Sequence, residues 1–100
     1  MNENPTKADE QCELGDKYFF GNDVPKDREK ANYWYIKAAE QGDAKAQFNL
    51  GYNYTQGDGI SKDFKKAIYW YTKAAEQGNA LAQNNLGVLY HNGDDIPSVL

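Results

Sequence analysis

The sequence predicts an all-α fold, an α-α superhelix or solenoid of antiparallel helix pairs with about two and a half 36-residue repeats and five helices. Three observations carry this. Sliding the chain by 36 residues superposes Lys26 to Asp58 on Lys62 to Asp94 with 22 of 33 positions identical, a self-similarity that marks repeat architectures. A second set occurs three times: Gln11/Gln47/Gln83, Leu14/Leu50/Leu86, Gly15/Gly51/Gly87, Tyr18/Tyr54/Tyr90 and Gly21/Gly57/Gly93. Within each period the apolar residues return at i, i+3, i+4, i+7 and i+8, the stripe of a half-buried helix. Residues 1–100 are read as one domain, with repeats at about 7–42 and 43–78, a partial third at about 79–97, and a short tail at 98–100.

Each element follows from its residues. The first helix is expected over roughly Lys7 to Phe20, where Thr6 with Asp9 resembles a capping box in which Asp replaces Glu. The second is expected from Asp27, an N-cap residue type, to Gln41; Ala31, Trp34, Tyr35, Ala38 and Ala39 form its buried stripe, and Gly42 suits a left-handed end. Asp43 caps the third, Ala44 to Gln56, whose inner row is Ala46, Leu50 and Tyr54. The turn Gly57-Asp58-Gly59-Ile60-Ser61-Lys62 leads into the fourth, Asp63 to Gln77, with Ala67, Trp70, Tyr71, Ala74 and Ala75 as its stripe and Gly78 at its end. Asn79 caps the fifth, Ala80 to His91. Asp94-Asp95-Ile96-Pro97 then begins the loop of a third pair, but Ser98-Val99-Leu100 stand where its second helix is expected. No strand is predicted.

Gly15, Gly51 and Gly87 fall inside predicted helices, where glycine costs about 1 kcal/mol against alanine. The compensation expected is close approach of two backbones, with alanines of the partner helix facing each glycine.

Composition excludes several function classes. Leu, Ile, Val and Phe total only 17 residues, near the range of disordered chains, but 8 Tyr, 2 Trp and 11 Ala supply a core of aromatics on alanines. A net charge of -4 and a pI near 4.8 argue against nucleic acid, which needs a basic face. No apolar run approaches the roughly 18 residues of a membrane span. The polar, acidic start from Met1 to Gln11 lacks the apolar centre of a secretory signal, so a cytoplasmic location is expected. The single Cys12 has no partner for an internal disulfide, in accord with a reducing compartment.

The pattern Ala46-x-x-x-Leu50-Gly51-x-x-Tyr54-x-x-Gly57-x-Gly59-Ile60-x-x-Asp63, followed by Lys66-Ala67-x-x-Trp70-Tyr71-x-Lys73-Ala74-Ala75-Glu76-Gln77-Gly78, resembles the Sel-one-like repeat (SLR) family, relatives of the tetratricopeptide repeats. The resemblance covers about residues 8–96. It implies right-handed superhelices of antiparallel pairs that serve as non-catalytic scaffolds for protein partners, with the first helix of each pair lining the concave face. Some bacterial members are cysteine-rich, with a disulfide in each pair, and are associated with penicillin binding; a lone Cys12 departs from that pattern, and the activity is not carried over.

No catalytic, cofactor-binding or metal site is expected. His91 has no second histidine or neighbouring cysteine for a metal. Cys12 aligns with Phe48 and Asn84 at a variable position and reads as a packing thiol. Gly57-x-Gly59 lacks the Gly-Lys-Ser/Thr ending of a phosphate loop, and Asn53-Tyr54-Thr55 is an accidental glycosylation match at a core position. Trp34 and Tyr35 lie on the buried stripe, leaving Tyr33 and Tyr69 as exposed aromatics.

In a solenoid, recurring residues build the stack and varying ones are free to recognise partners. The variable positions on the concave helices are Asp9/Lys45/Leu81, Cys12/Phe48/Asn84, Asp16/Tyr52/Val88 and Phe19/Thr55/His91. Phe48 and Tyr52, one turn apart, fit an anchor pair; Phe48 fits equally well a packing role between repeats. Asp9, Glu13 and Asp16 share one side of the first helix, either as a solvated capping face or as the acidic end of a groove suited to a basic, partly apolar segment. The expected function is a protein-interaction module binding a protein or peptide in its concave groove. Alternatives are an immunity-type protein that neutralises a cognate toxin and a weak hydrolase using the acidic residues; the fifth helix is expected either to act as the cap, with Leu81, Val88 or Leu89 partly exposed, or to be covered by a homodimer or by the rest of a longer parent protein.

Overall fold

Five helices of nearly equal length follow one another in a computed structural model that describes residues 5–91: α1 (Ala8–Phe20), α2 (Arg28–Glu40), α3 (Ala44–Gln56), α4 (Phe64–Glu76) and α5 (Ala80–His91). Among the described residues there is no strand. The expected third-repeat loop from Asp94 and the tail at 98–100 lie outside them.

Caps decide where the helices begin. The side chains of Asp27, Asp43, Asp63 and Asn79 accept hydrogen bonds from the backbone N–H of Lys30, Ala46, Lys66 and Ala82, at 3.0, 2.8, 3.1 and 2.8 Å. Each satisfies a donor that helix geometry leaves unpaired. α1 differs. Lys7 holds its N-cap position without a side-chain bond, and the expected Thr6–Asp9 box does not form. The Asp9 carboxylate instead accepts from the N–H of Glu10, while the carbonyls of Pro5 and Thr6 accept from the side-chain amides of Gln11 and Gln41. The chain entering α1 is thus held by glutamines of the helix pair.

α2 and α4 end alike. Gly42 and Gly78 take φ of 98° and 88°, and the N–H of Asp43 and Asn79 reach back to the carbonyls of Ala38 and Ala74, both at 3.1 Å. This is the Schellman arrangement, in which glycine takes the left-handed conformation without steric cost. It turns the chain directly into the next helix.

α1 packs on α2 and α3 on α4 as antiparallel pairs, and α2 on α3 and α4 on α5 join the pairs into a layer of 46 × 24 × 17 Å. Ala31, Ala38, Ala46, Ala67, Ala74 and Ala82 are wholly buried, and Leu50, Tyr35 and Tyr71 fill the space between them. Trp34 is buried as the stripe predicts. Trp70 and Ala75 are only half-buried, and Trp70 borders an open depression beside Ala39, Gln47 and Gln77.

The interior glycines Gly15 and Gly51 do permit a close approach, but chiefly to a ring rather than to an alanine. A Cβ built on Gly15 would lie 2.6 Å from the Tyr35 ring, and one on Gly51 would lie 2.5 Å from the Tyr71 ring. Both glycines make room for a tyrosine ring of the neighbouring helix; at Gly15 the expected alanine contact is present as well, the Ala31 carbonyl oxygen lying 3.2 Å from the built Cβ, whereas the three atoms nearest Gly51 all belong to the Tyr71 ring. One link between repeats is polar: Asn53 donates to the Asn32 side chain at 2.8 Å, and Asn32 donates to the Asp58 carbonyl at 2.8 Å. This draws the turn before α4 onto the start of α2, where the Arg28 guanidinium meets the Asp58 carboxylate at 3.1 Å. Gly59, at φ 69°, fits there because its missing Cβ would sit 2.6 Å from the Arg28 backbone.

Candidate functional site

One side of the layer carries a groove along α1, α3 and α5. Its deeper part is a cavity of about 390 Å³, whose lining includes Asp16, Phe19, Phe48 and Tyr52. A second cavity of about 190 Å³ adjoins it, walled by Tyr52, Thr55, Tyr71 and Val88. Tyr52, 44% exposed, lines both cavities.

The local structure explains each wall. Phe19 stands at the end of α1, its ring centre 6.3 Å from that of Tyr35 and 4.2 Å from the Arg28 guanidinium carbon, a cation–π contact. Phe48 is half-buried and packs on Tyr71 at 5.7 Å between ring centres, so it supports the junction between helices while lining the groove. Asp16 accepts a 2.5 Å bond from the Tyr35 hydroxyl and forms a 3.4 Å ion pair with Lys45. Burial, then the hydrogen bond to Asp16, pushes the Tyr35 hydroxyl far above the usual phenol range. The Asp16 carboxylate in turn raises the pKa of Lys45, which stays charged.

The predicted residues therefore divide. Asp16, Phe19, Phe48, Tyr52, Thr55 and Val88 come together along the groove. Asp9, Lys45, Asn84 and His91 are exposed beside it and line neither cavity. Cys12 is 3% exposed and cannot face a partner. Burial first, then the carboxylates of Asp43 and Asp16, pushes its thiol up to about 12, so it stays protonated and unreactive near neutral pH. Its place in the variable set came from aligning with Phe48, but α1 turns the short thiol into the core. The acidic face also divides: Asp9 and Glu13 are solvated, whereas Asp16 is engaged by Tyr35 and Lys45.

Several wall residues escaped the sequence reading. Asn49 and Asn85 share one repeat position with Glu13, and the sequence reading named neither asparagine although both line the groove. Asn53 was placed by its repeat neighbours Lys17 and Leu89, which vary, and that variation was the available signal. Phe20, 61% exposed, was visible as an aromatic at a helix end.

The walls suit a bulky apolar side chain flanked by amides that can bond a peptide backbone. Among the described residues no cluster of His, Cys, Asp or Glu could hold a metal ion, and no helix is long and apolar enough to cross a membrane.

The Sel1 repeat model matches residues 11–43, 44–79 and 80–99. Among solved structures, a Sel1 repeat protein from Oxalobacter formigenes is similar at 50% identity and a TM-score of 0.85, over 88% of this chain and 36% of that one. A protective antigen of uropathogenic Escherichia coli strains displaying an SLR fold matches at 41% and 0.86, over 88% of this chain and 19% of that one. Helicobacter pylori cysteine-rich protein B matches at 34% and 0.76, over 79% and 59%. The chain thus spans between about a fifth and three fifths of the length of these proteins. Comparison with curated proteins finds no match.

Proposed function

The chain belongs to the Sel1 repeat family, whose members are generally protein-interaction modules, and from that premise we propose that it binds a protein or peptide segment in the groove along α1, α3 and α5. The observation that carries this reading is the 390 Å³ cavity walled by Phe19, Phe48 and Tyr52, residues that vary between repeats on a backbone that does not. An aromatic or branched aliphatic side chain enters between the rings, and Asn49 and Asn85 bond the segment's backbone. Basic residues on the segment are drawn by Asp9 and Glu13 on the solvated side of α1 and by the net charge of -4. The binding is non-catalytic.

The direct test is affinity capture from the native host with the wild-type chain and Tyr52→Ala, followed by mass spectrometry. Tyr52 is exposed, so its truncation leaves the melting temperature unchanged, whereas Phe48 also supports Tyr71. Loss of the captured proteins with Tyr52→Ala is expected. Equal capture by both would refute the groove.

A further inference from the structure

The main cavity of the groove is walled by five aromatic rings and three asparagines, and Asp16 is the one charged residue among the described residues that line it. Its side chain is 27% exposed. A carboxylate shielded from water by rings attracts a cation more strongly than one in open solvent, because the effective dielectric is lower and salt screens it less. Asp9 and Glu13 are exposed and steer from outside the groove; Asp16 is placed to bind inside it. Arg28, over the Phe19 ring, does not line the cavity and is paired with Asp58.

The two oxygens of Asp16 are held differently. Oδ1 accepts from the Tyr35 hydroxyl at 2.5 Å, a bond inside the first pair that fixes the carboxylate in the wall. Oδ2 faces the Lys45 ammonium at 3.4 Å, well beyond the roughly 2.8 Å of a strong charge-assisted bond. The Lys45 side chain is 69% exposed, and ion pairs so open to water are broken at little cost. Lys45 thus loosely occupies the position that a basic side chain of a bound segment would take. The pair occurs once, since Tyr52 and Val88 stand at the Asp16 position of the later repeats and Asp9 and Leu81 at the Lys45 position of the others. The cavity therefore has a single charged point, beside the space for an apolar side chain between Phe19, Phe48 and Tyr52.

Resting on the groove reading, we propose that the segment bound there carries a lysine or arginine next to its apolar residue, that Asp16 recognises this basic residue, and that Lys45 is the placeholder it displaces. The exchange sets one cation in place of another on the same carboxylate, and the released Lys45 regains its water and its rotamers. An acidic residue at that place in the segment is repelled by Asp16, and a neutral one leaves Lys45 where it is. The basic residue also sets orientation: it lies toward α1, and the segment runs on past Asn85 toward α5.

The test is selection of a displayed library of random heptapeptides on the whole chain, with parallel selections on Asp16→Asn and Tyr52→Ala. Asp16→Asn keeps an acceptor for the Tyr35 hydroxyl, and circular dichroism checks that the helices are retained. Wild-type selections are expected to enrich an aromatic or branched aliphatic residue with Lys or Arg beside it. On Asp16→Asn the apolar preference persists and the basic one disappears. For one selected peptide, labelled and read by anisotropy, affinity should fall about tenfold on Asp16→Asn, fall as far when its basic residue becomes Gln, and fall no further when both changes are combined. Lys45→Ala should tighten binding about two- to fivefold, and only where Asp16 is present. A merely structural Asp16 would show neither effect. Peptides that need Tyr52 but show no basic preference, losses that add, or no tightening with Lys45→Ala overturn the proposal and leave the groove standing. Peptides that bind Tyr52→Ala equally well, or a selection that enriches nothing, overturn the groove and this inference with it.

Discussion

The first and second repeats share a skeleton and differ along the groove. Where the first has Asp16, held by the Tyr35 hydroxyl and Lys45, the second has Tyr52, which stands in solvent. Where the first has Phe19, packed on Tyr35 under Arg28, the second has Thr55, whose hydroxyl turns back to the Gly51 carbonyl at 2.8 Å. The tyrosines on the two glycines differ as well: the Tyr35 hydroxyl is bonded within its own pair, whereas the Tyr71 hydroxyl accepts from Asn85 of the next, at 3.3 Å. The first repeat's Asp16 is held both by Tyr35 of its own pair and by Lys45 of the second repeat. The second turns its variable positions toward the groove and toward α5. A repeated backbone lets such changes alter surface chemistry without moving the helices that carry it.

The sharpest way to break this equivalence is to overfill the shared glycines. Gly15→Leu and Gly51→Leu should each destabilise by about 1 to 3 kcal/mol, because the branched side chain must displace a buried ring. Gly87→Leu should cost nothing and gain a few tenths from helix propensity. Urea unfolding of the three variants measures the ranking, and an unchanged midpoint for Gly51→Leu would remove the ring-on-glycine account.

Alkaline pH separates the repeats next. The Cys12 thiol is pushed up to about 12 in the folded chain from 9.0, so below pH 9 both states are protonated and its contribution is complete. Above pH 9 the unfolded chain releases the proton first, and stability falls by about 1.4 kcal/mol per pH unit until the folded thiol ionises. Phe48, at the same place in the second repeat, has nothing to titrate. Comparing pH 8 with pH 10, Cys12→Ala should lose packing at both values yet show the smaller fall; an equal fall would place the alkaline sensitivity elsewhere, in Tyr35 and Tyr71, whose hydroxyls are also raised by burial.

The smallest expected difference concerns the two hydroxyls. Tyr35→Phe removes a short bond to a charged acceptor and should cost about 1 to 2 kcal/mol, whereas Tyr71→Phe removes a longer bond to an amide and should cost under about 1. Thermal melts decide it. Equal losses would mean that the Asp16 pairing adds nothing over the Asn85 one.

Much of the fold was legible because its determinants are local. Asp27, Asp43, Asp63 and Asn79 cap helices whatever surrounds them, and Gly42 and Gly78 permit a backbone conformation that other residues resist. Thr6 shows the limit of local reading: α1 takes Lys7 rather than Thr6 as its N-cap, so the box does not form, and the Thr6 carbonyl accepts from the Gln41 amide, 35 residues away. The site was read less well. Variation between repeats found Asp16, Phe19, Phe48 and Tyr52, yet it also selected Cys12, because alignment gives a position on the helix but not the reach of a side chain. It passed over Asn49 and Asn85, which are alike in two repeats and differ only from Glu13 in the first, since a partial match between repeats does not tell a residue that holds the stack from one that lines its surface.

The sequence alone determined the period, the helices and the alanine layer, since periodicity, capping and burial of apolar stripes act within one repeat. Only the tertiary structure decided what the interior glycines receive, which carboxylate is paired, and which variable residues meet along the groove. Those outcomes depend on side chains that meet across helices, and what fills the space beside a residue is a property of its neighbours in space.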